Sequence, residues 1–356
     1  MKFIHCADLH LGSKICLPTE ISKTIKEENF RAFEKLCDYA KNNEITAVII
    51  CGDMFESSKV SNQVFKRAMH AVETASNVDF LCLYGNHDFG IFEEYSEEIP
   101  KNFKIFGDSW TTFSYGNVDI KGVSFNNKNT EFIYDNLTLN QEKLNIVALH
   151  GQVVGYKSVE EAELISIPKL KNKGIDYLAL GHVHFYTNDD LDLRGKYGYS
   201  GCLNGRGFDE LEEKGFVLIQ SEDDKIKTNF VSFSNRNFYQ YDVNLSLFDD
   251  FFVFRDKLLN DLKQKYNQNS LIKIELVGER DEKFDLNVDL LKSYLEEEFF
   301  FVKIKDKFTL KIDLNDYLGD KSVKGEFIRT VFAEEMTEEE RTGVIVCGLK
   351  ALKGEI

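Results

Sequence analysis

An α/β architecture is expected, with two stacked β-sheets, helices outside them and a smaller α+β domain behind. Three observations point there. Strand and helix signals alternate over the first hundred residues, as in βαβ units that build a largely parallel sheet with right-handed crossovers. The middle of the chain turns to hairpin and buried-strand patterns, which a second sheet layer would accommodate. Near residue 236 the pattern changes again. With 356 residues, 43% of them hydrophobic, the chain can bury cores for two domains.

The elements follow in order. FIHCA is a short apolar strand. ENFRAFEKLCDYAKNN (28–43) places Phe30, Phe33, Leu36, Cys37 and Ala40 on one helical face. ITAVIICGD is a buried strand, SNQVFKRAMHAVETAS an amphipathic helix and DFLCLYGNHD the next strand. TTFSYGNVDIKGVSF reads as a hairpin turning at Gly116-Asn117. LNIVALHG and IDYLALGHVH are buried strands, and YGYSGC and GFVLIQ add β-structure. Beyond residue 236 come a helix (FDDFFVFRDKLLNDLKQKYN), a strand (SLIKIELVGE), a helix (LNVDLLKSYLEEEF) and one or two strands (FFVKIKDKFTLKIDL). Two helix signals end the chain, the last with a capping box at Thr337 and Glu340.

The formal net charge is −16. From Arg236 onward there are 25 acidic against 19 basic residues, a net of −6, which leaves −10 for the first 235. Neither half carries the basic excess expected of a protein that grips nucleic acid by itself. A phosphate-rich substrate would need metal ions or a partner to offset the repulsion. No apolar run approaches a membrane span, and the first residues lack the basic and apolar regions of a cleavable signal peptide. The seven cysteines are scattered, without a CxxC, so a reduced, cytoplasmic protein is expected.

Five strand-like runs each end in polar groups that can bind a metal: Asp8-Leu9-His10, Asp53, Asn86-His87-Asp88, His150, and His182-Val183-His184. In an α/β sheet the carboxyl ends of parallel strands share one edge, where ligands bind. The donors are carboxylates, imidazoles and one amide oxygen. Such a set suits manganese, iron or zinc and differs from a cysteine-rich structural zinc site. The roughly seven donors exceed the needs of one ion, and two ions sharing Asp53 would use them all. Residues i and i+2 of a strand face the same side, so His182 and His184 are expected to point together.

Taken in order, D-x-H, GD, GNHD, H-G and GHxH resemble the calcineurin-like metallophosphoesterase superfamily. The finer resemblance is to its SbcD-type DNA repair exonucleases, in the YhaO-like bacterial branch. It rests on ADLHLGS at 7–13, DYLALGHVH at 176–184 and YSGCLNGRGFDELEEKGF at 199–216. Beyond residue 236 the likeness is loose. The resemblance implies a two-sheet β-sandwich flanked by helices as a nuclease domain at 1–235, an α+β capping domain at 236–320 and a C-terminal helical segment at 321–356. It implies one divalent ion on Asp8, His10, Asp53 and His184, and a second on Asp53, Asn86, His150 and His182. Manganese is the first expectation, with iron or zinc as alternatives.

The implied reaction is metal-dependent hydrolysis of DNA phosphodiester bonds, as the exonuclease subunit of a repair complex. His87 would stabilise the transition state or protonate the leaving oxygen. The implied partners are DNA and an SbcC-like SMC-type ATPase, with a homodimer left open and no membrane. Glu56, in GDMFE, departs from the pattern, because relatives carry histidine or aspartate there. Its carboxylate is expected to accept a hydrogen bond from His87 and favour the imidazolium. Two other readings stand beside this one: a phosphodiesterase or phosphatase for a nucleotide or other small phosphate ester, and a metal-binding scaffold with little hydrolysis.

Among the remaining candidates, His5 reads as a satisfied core imidazole, His70 as a solvated helix residue and Asp88 as a turn brace. Arg206 reads as a loop arginine or as a phosphate contact. The stripe Val344, Ile345, Leu349 and Leu352 would pack on its own domain or dock the ATPase.

Overall fold

A computed structural model describes residues 1–125, 133–154, 163–281 and 284–353. The first half follows the β-α alternation: β1 (Lys2–Cys6), α1 (Thr19–Asn42), β2 (Ile45–Ile50), α2 (Asn62–Thr74), β3 (Asp79–Cys82), α3 (Ile91–Glu94) and β4 (Phe103–Ile105). The hairpin strands β5 (Thr111–Tyr115) and β6 (Val118–Gly122) turn at Gly116-Asn117, with Tyr115 opposite Val118. Then come β7 (Leu144–His150), β8 (Gln152–Val153), β9 (Leu164–Ile165), α4 (Ile167–Leu170), β10 (Tyr177–Gly181), β11 (Asp189–Asp190), β12 (Lys196–Tyr199), β13 (Gly215–Glu222) and β14 (Lys225–Ser232).

Twelve of these strands make two six-stranded mixed sheets, ordered β14-β13-β1-β2-β3-β4 and β11-β12-β10-β7-β6-β5, while β8 and β9 pair with each other. Strands β1 to β4 run parallel, as do β6, β7, β10 and β12. The two-residue period of each strand divides its side chains between layers. Phe3, Ala47, Ile49 and Leu81 face Ile120, Ile146, Ala148 and Ala179 across the sandwich. Ile4, Val48, Ile50 and Phe80 point the other way and pack under Phe33 and Leu36 of α1 and Phe65 and Val72 of α2. Val147, Leu149, Leu178 and Leu180 form the outer face of the second sheet, with Leu170 of α4.

Helix α1 starts nine residues before the amphipathic run. TEISKTIKE has few apolar residues, and of these Ile25 is buried. The early turns are helical without a continuous apolar stripe, so periodicity alone did not mark them. His5 lies fully buried between the sheets, its Nδ1 2.9 Å from Tyr177 Oη and its Nε2 3.1 Å from the Leu180 carbonyl. His70 is exposed on α2.

The chain divides into two compact units, Met1–Phe238 and Tyr239–Ile356. The second contains most of β15 (Phe238–Asn244), then α5 (Phe251–Lys265), β16 (Leu271–Val277), β17 (Glu279–Asp281), α6 (Val288–Glu296), β18 (Phe301–Asp306), β19 (Thr309–Lys311), α7 (Val323–Ala333) and α8 (Glu338–Lys353). A three-stranded sheet, β15-β16-β18, packs Ile272, Ile274 and Val302 against Phe254, Leu258 and Leu262 of α5 and Leu291 and Leu295 of α6. The capping box at the start of α8 is formed: the Glu340 carboxylate accepts from Thr337 N at 2.9 Å, and Glu340 N donates to Thr337 Oγ1 at 3.2 Å. The apolar stripe of α8 splits. Ile345 and Leu349 pack in a cluster with Val331 of α7, while Val344 and Leu352 are exposed. The last three residues of the segment expected at 321–356 lie outside the described residues.

Candidate metal centre

Parallel strands deliver their carboxyl ends to one place. Asp8 follows β1, Asp53 follows β2, Asn86 and His87 follow β3, His150 ends β7, and His182 and His184 follow β10. The backbone turns sharply at these points. Asp8 (φ 54°), His10 (φ 44°), Asp53 (φ 51°) and His182 (φ 106°) all have positive φ, a conformation that costs a non-glycine residue on the order of 1–3 kcal/mol. Local bonds hold it. Asp8 N donates to the Gly52 carbonyl at 3.1 Å and His10 N to the Asp53 carbonyl at 2.9 Å. His182 N donates to both Asp8 carboxylate oxygens, at 2.9 and 3.0 Å, and His87 N to Asp53 Oδ1 at 2.9 Å. The Asn29 amide of α1 ties down the Leu9 carbonyl at 3.0 Å.

His182 and His184 are not presented by strand alternation as expected. Strand β10 stops at Gly181, and the backbone is already bent at His182. The two rings reach the site from a loop, because the positive φ of His182 breaks the pleat on which the i, i+2 argument depends.

The rings share one orientation. His150 Nδ1 lies 2.8 Å from the Cys51 carbonyl, His184 Nδ1 2.8 Å from Glu210 Oε1 and His10 Nδ1 3.0 Å from Glu56 Oε2. The Cys51 carbonyl can only accept, so His150 Nδ1 carries hydrogen. His184 Nδ1 lies between Glu210 and Arg206 Nη2, the latter at 3.4 Å, and His10 Nδ1 meets Glu56 without hydrogen-bond geometry, while the Nε2 atoms of all three rings turn inward. His10 Nε2 and His184 Nε2 then sit 3.2 Å apart. His150 Nε2 sits 3.0 Å from Asn86 Oδ1 and 3.3 Å from Asp53 Oδ2. Lone pairs gathered this closely in a buried place repel unless a cation lies among them, either a proton or a metal ion. Buried His182 Nε2 has no hydrogen-bond partner among the described residues. Donor atoms of Asp8, His10 and His184, of His10, Asp53 and His87, and of Asp8, Asp53 and His150 lie within 4.8 Å of one another in each trio. The residues present fit a metal centre on oxygen and imidazole donors.

The electrostatics agree. Burial would raise the Asp53 carboxyl, but the facing His150 and His10 bring it well below the usual carboxylate range. Burial would lower His150, and Asp53 instead raises it to about 9. His182 is pushed down by burial and by the neighbouring His150. Asp88 braces the turn, accepting from Gly85 N at 2.9 Å and Phe55 N at 3.2 Å; burial and the Asp53 charge push it up to about 7. Gly85 is required by close approach: a Cβ there would lie 2.0 Å from Asp53 Oδ1.

Glu56 differs from expectation. The His87 ring reaches the Glu56 main-chain carbonyl, with Nδ1 at 3.1 Å. The carboxylate instead bears on His10 and on Arg206 Nη1, the latter at 3.0 Å. The carbonyl can only accept, so Nδ1 of His87 carries hydrogen. Arg206 is neither an isolated loop arginine nor directed to solvent, since its guanidinium is bound to Glu56 and Glu210. Sequence reasoning missed Glu210 and Lys214. Both are buried, and Lys214 Nζ donates to the His184 carbonyl at 2.8 Å. They lie in irregular chain, where no periodicity marks a buried side; the one signal was their place in the GRGFDELEEKGF run.

A two-sheet α/β sandwich with its donors at the strand ends defines the class, and the comparison with known families agrees. A family model described as calcineurin-like phosphoesterase matches residues 1–186. The chain belongs to that family, whose chemistry uses a dinuclear metal site. It is similar to the DNA double-strand break repair protein Mre11 of Sulfolobus acidocaldarius, with 24% identity over 90% of each chain. The Mre11 protein of Saccharolobus solfataricus is 24% identical over 100% of this chain and 96% of its own. An uncharacterised metallophosphoesterase of Bacillus subtilis, YhaO, is 26% identical over 65% of this chain and 60% of its own.

Proposed function

We propose that this protein is a two-metal DNA phosphodiesterase acting as the SbcD-like exonuclease subunit of a repair complex. The observation that carries this reading is a likeness to two DNA double-strand break repair proteins that runs through both units. Asp8, His10, Asp53 and His184 would hold one ion, and Asp53, Asn86, His150 and His182 the other, with manganese expected first. Bound there, the ions would supply Lewis acidity toward the phosphoryl oxygens and an activated water. The protein's own contribution is positional. The Cys51 carbonyl at His150 Nδ1, and Glu210 and Glu56 beside the Nδ1 atoms of His184 and His10, support rings whose Nε2 atoms turn inward. The Glu56 carbonyl orients His87 so that its Nε2 can give a proton to the leaving oxygen. The Glu56 carboxylate bears on His10 and Arg206, and its charge also acts on His87.

Residues 236–320 would serve as the capping domain, with 321–356 as a C-terminal helical segment. The partners would be DNA and an SMC-type ATPase, which would offset the net −16 charge. Seven free cysteines, five of them buried, support a reducing cytoplasm. Among the described residues no helix is long and apolar enough to cross a membrane. That same acidity favours a second reading, a phosphodiesterase for a nucleotide or another small ester.

The test is hydrolysis of linear double-stranded DNA with added manganese, beside bis-p-nitrophenyl phosphate, with His87→Ala as control. DNA degradation lost in the control is expected. Turnover of the small ester without DNA cleavage, even after the ATPase is added, would favour the second reading.

A further inference from the structure

Two histidines of the site are joined through protein on their outer side by a closed ring of contacts. His184 Nδ1 meets Glu210 Oε1 at 2.8 Å. Glu210 is held by Arg206 through three contacts: Oε2 accepts from the Arg206 backbone N at 2.7 Å, and Oε1 from Nε at 3.0 Å and Nη2 at 2.5 Å. The same guanidinium extends Nη1 to Glu56 Oε2 at 3.0 Å, and that oxygen stands 3.0 Å from His10 Nδ1. The ring closes where His10 Nε2 and His184 Nε2 approach to 3.2 Å.

The arrangement is chemically directed. Glu210 is 3% exposed, its carboxylate enclosed between the His184 ring and the Arg206 guanidinium. A buried carboxylate on a ligand's Nδ1 raises the basicity of its Nε2 and fixes the ring. Here a buried carboxylate, Glu210, and a half-exposed one, Glu56, stand beside two rings that face one point. A single planar guanidinium joins them, a geometry lysine cannot reproduce. Neither glutamate belongs to the donor trios found among the described residues.

We propose that Arg206 and Glu210, with Glu56, form a clamp that positions His10 and His184 together, and so sets the affinity of one metal position without contacting the ion. This rests on the two-ion reading above. It also assigns Arg206 to the protein frame, in place of a contact with substrate phosphate.

The test is equilibrium dialysis of the full-length protein against Mn²⁺, with bound metal counted and thermal melting of chelator-treated protein measured alongside. Two Mn²⁺ per chain are expected in the unaltered protein. Glu210→Gln and Glu56→Gln should each weaken one of the two equivalents by roughly 10- to 100-fold and leave the other unchanged. Arg206→Lys should do the same, and combining it with Glu210→Gln should add little, because both act through one ring. A purely structural role would lower the melting temperature without separating the two equivalents. If Glu210→Gln fails to fold, the half-exposed Glu56 decides, since its carboxylate can be neutralised without burying a bare charge. Two equivalents of unaltered affinity in folded Glu56→Gln and Arg206→Lys would overturn the clamp. Failure of the unaltered protein to take up two Mn²⁺ would overturn the two-ion reading and the clamp with it.

Discussion

His5 should make the first unit acid-labile by a calculable amount. The imidazole is fully buried between β1 and β10, with Nε2 donating to the Leu180 carbonyl and Nδ1 accepting from Tyr177 Oη. Burial pulls its pKa down from 6.5 to about 3, and the bond to the Leu180 carbonyl only partly resists this. The unfolded chain therefore takes up a proton near pH 6.5 that the folded chain refuses until about pH 3. The stability contributed by the neutral ring is complete above pH 6.5. It falls by about 1.4 kcal/mol per pH unit as acidity increases, reaching about 2 kcal/mol lost at pH 5. His5→Gln keeps a donor for the Leu180 carbonyl but cannot titrate. It should be less stable than the unaltered protein at pH 7.5 by about 1–3 kcal/mol, through poorer bonding to Tyr177. That gap should shrink by about 2 kcal/mol at pH 5. Urea unfolding followed by Trp110 fluorescence measures this, because Trp110 is the one tryptophan of the chain and lies in the first unit. A gap that stays constant between the two pH values would refute the reasoning.

Two further substitutions probe separate links. Gly85→Ala places a methyl 2.0 Å from Asp53 Oδ1 and should displace the proposed bridging carboxylate, so that Mn²⁺ uptake by dialysis drops for both equivalents while the circular dichroism spectrum is kept. Thr337→Ala removes the Oγ1 that accepts from Glu340 N and should cost about 1 kcal/mol at the start of α8, read as faster amide exchange in its first turn with hydrolysis unaffected.

The alternation of buried and opposed side chains was legible along the chain wherever regular strands occur. Ala47 and Ile49 against Val48 and Ile50 show it: the two sets fill the two sides of the first sheet, because strand geometry leaves no other choice. The hairpin at Gly116-Asn117 and the capping box at Thr337 were equally local, each contained within a few residues. The polar groups after strands, from Asp8 to His184, were legible as candidates by residue type and order.

What the tertiary structure decided is how those groups meet. Which nitrogen of each ring turns inward depends on acceptors far away in sequence, such as Cys51 for His150 and Glu210 for His184. The His182–His184 argument assumed a straight strand and failed, because a positive φ at His182 serves a bond to Asp8, 174 residues earlier. Glu56 has partners beyond the expected one for a related reason. The residue types that relatives carry there suggested His87, whereas the carboxylate reaches His10 and the half-buried Arg206 of a distant loop. Local spacing determines which side chains can share a face. Only the packing of loops against one another determines which charged atoms find partners, since burial makes an unpaired charge too costly to leave in place.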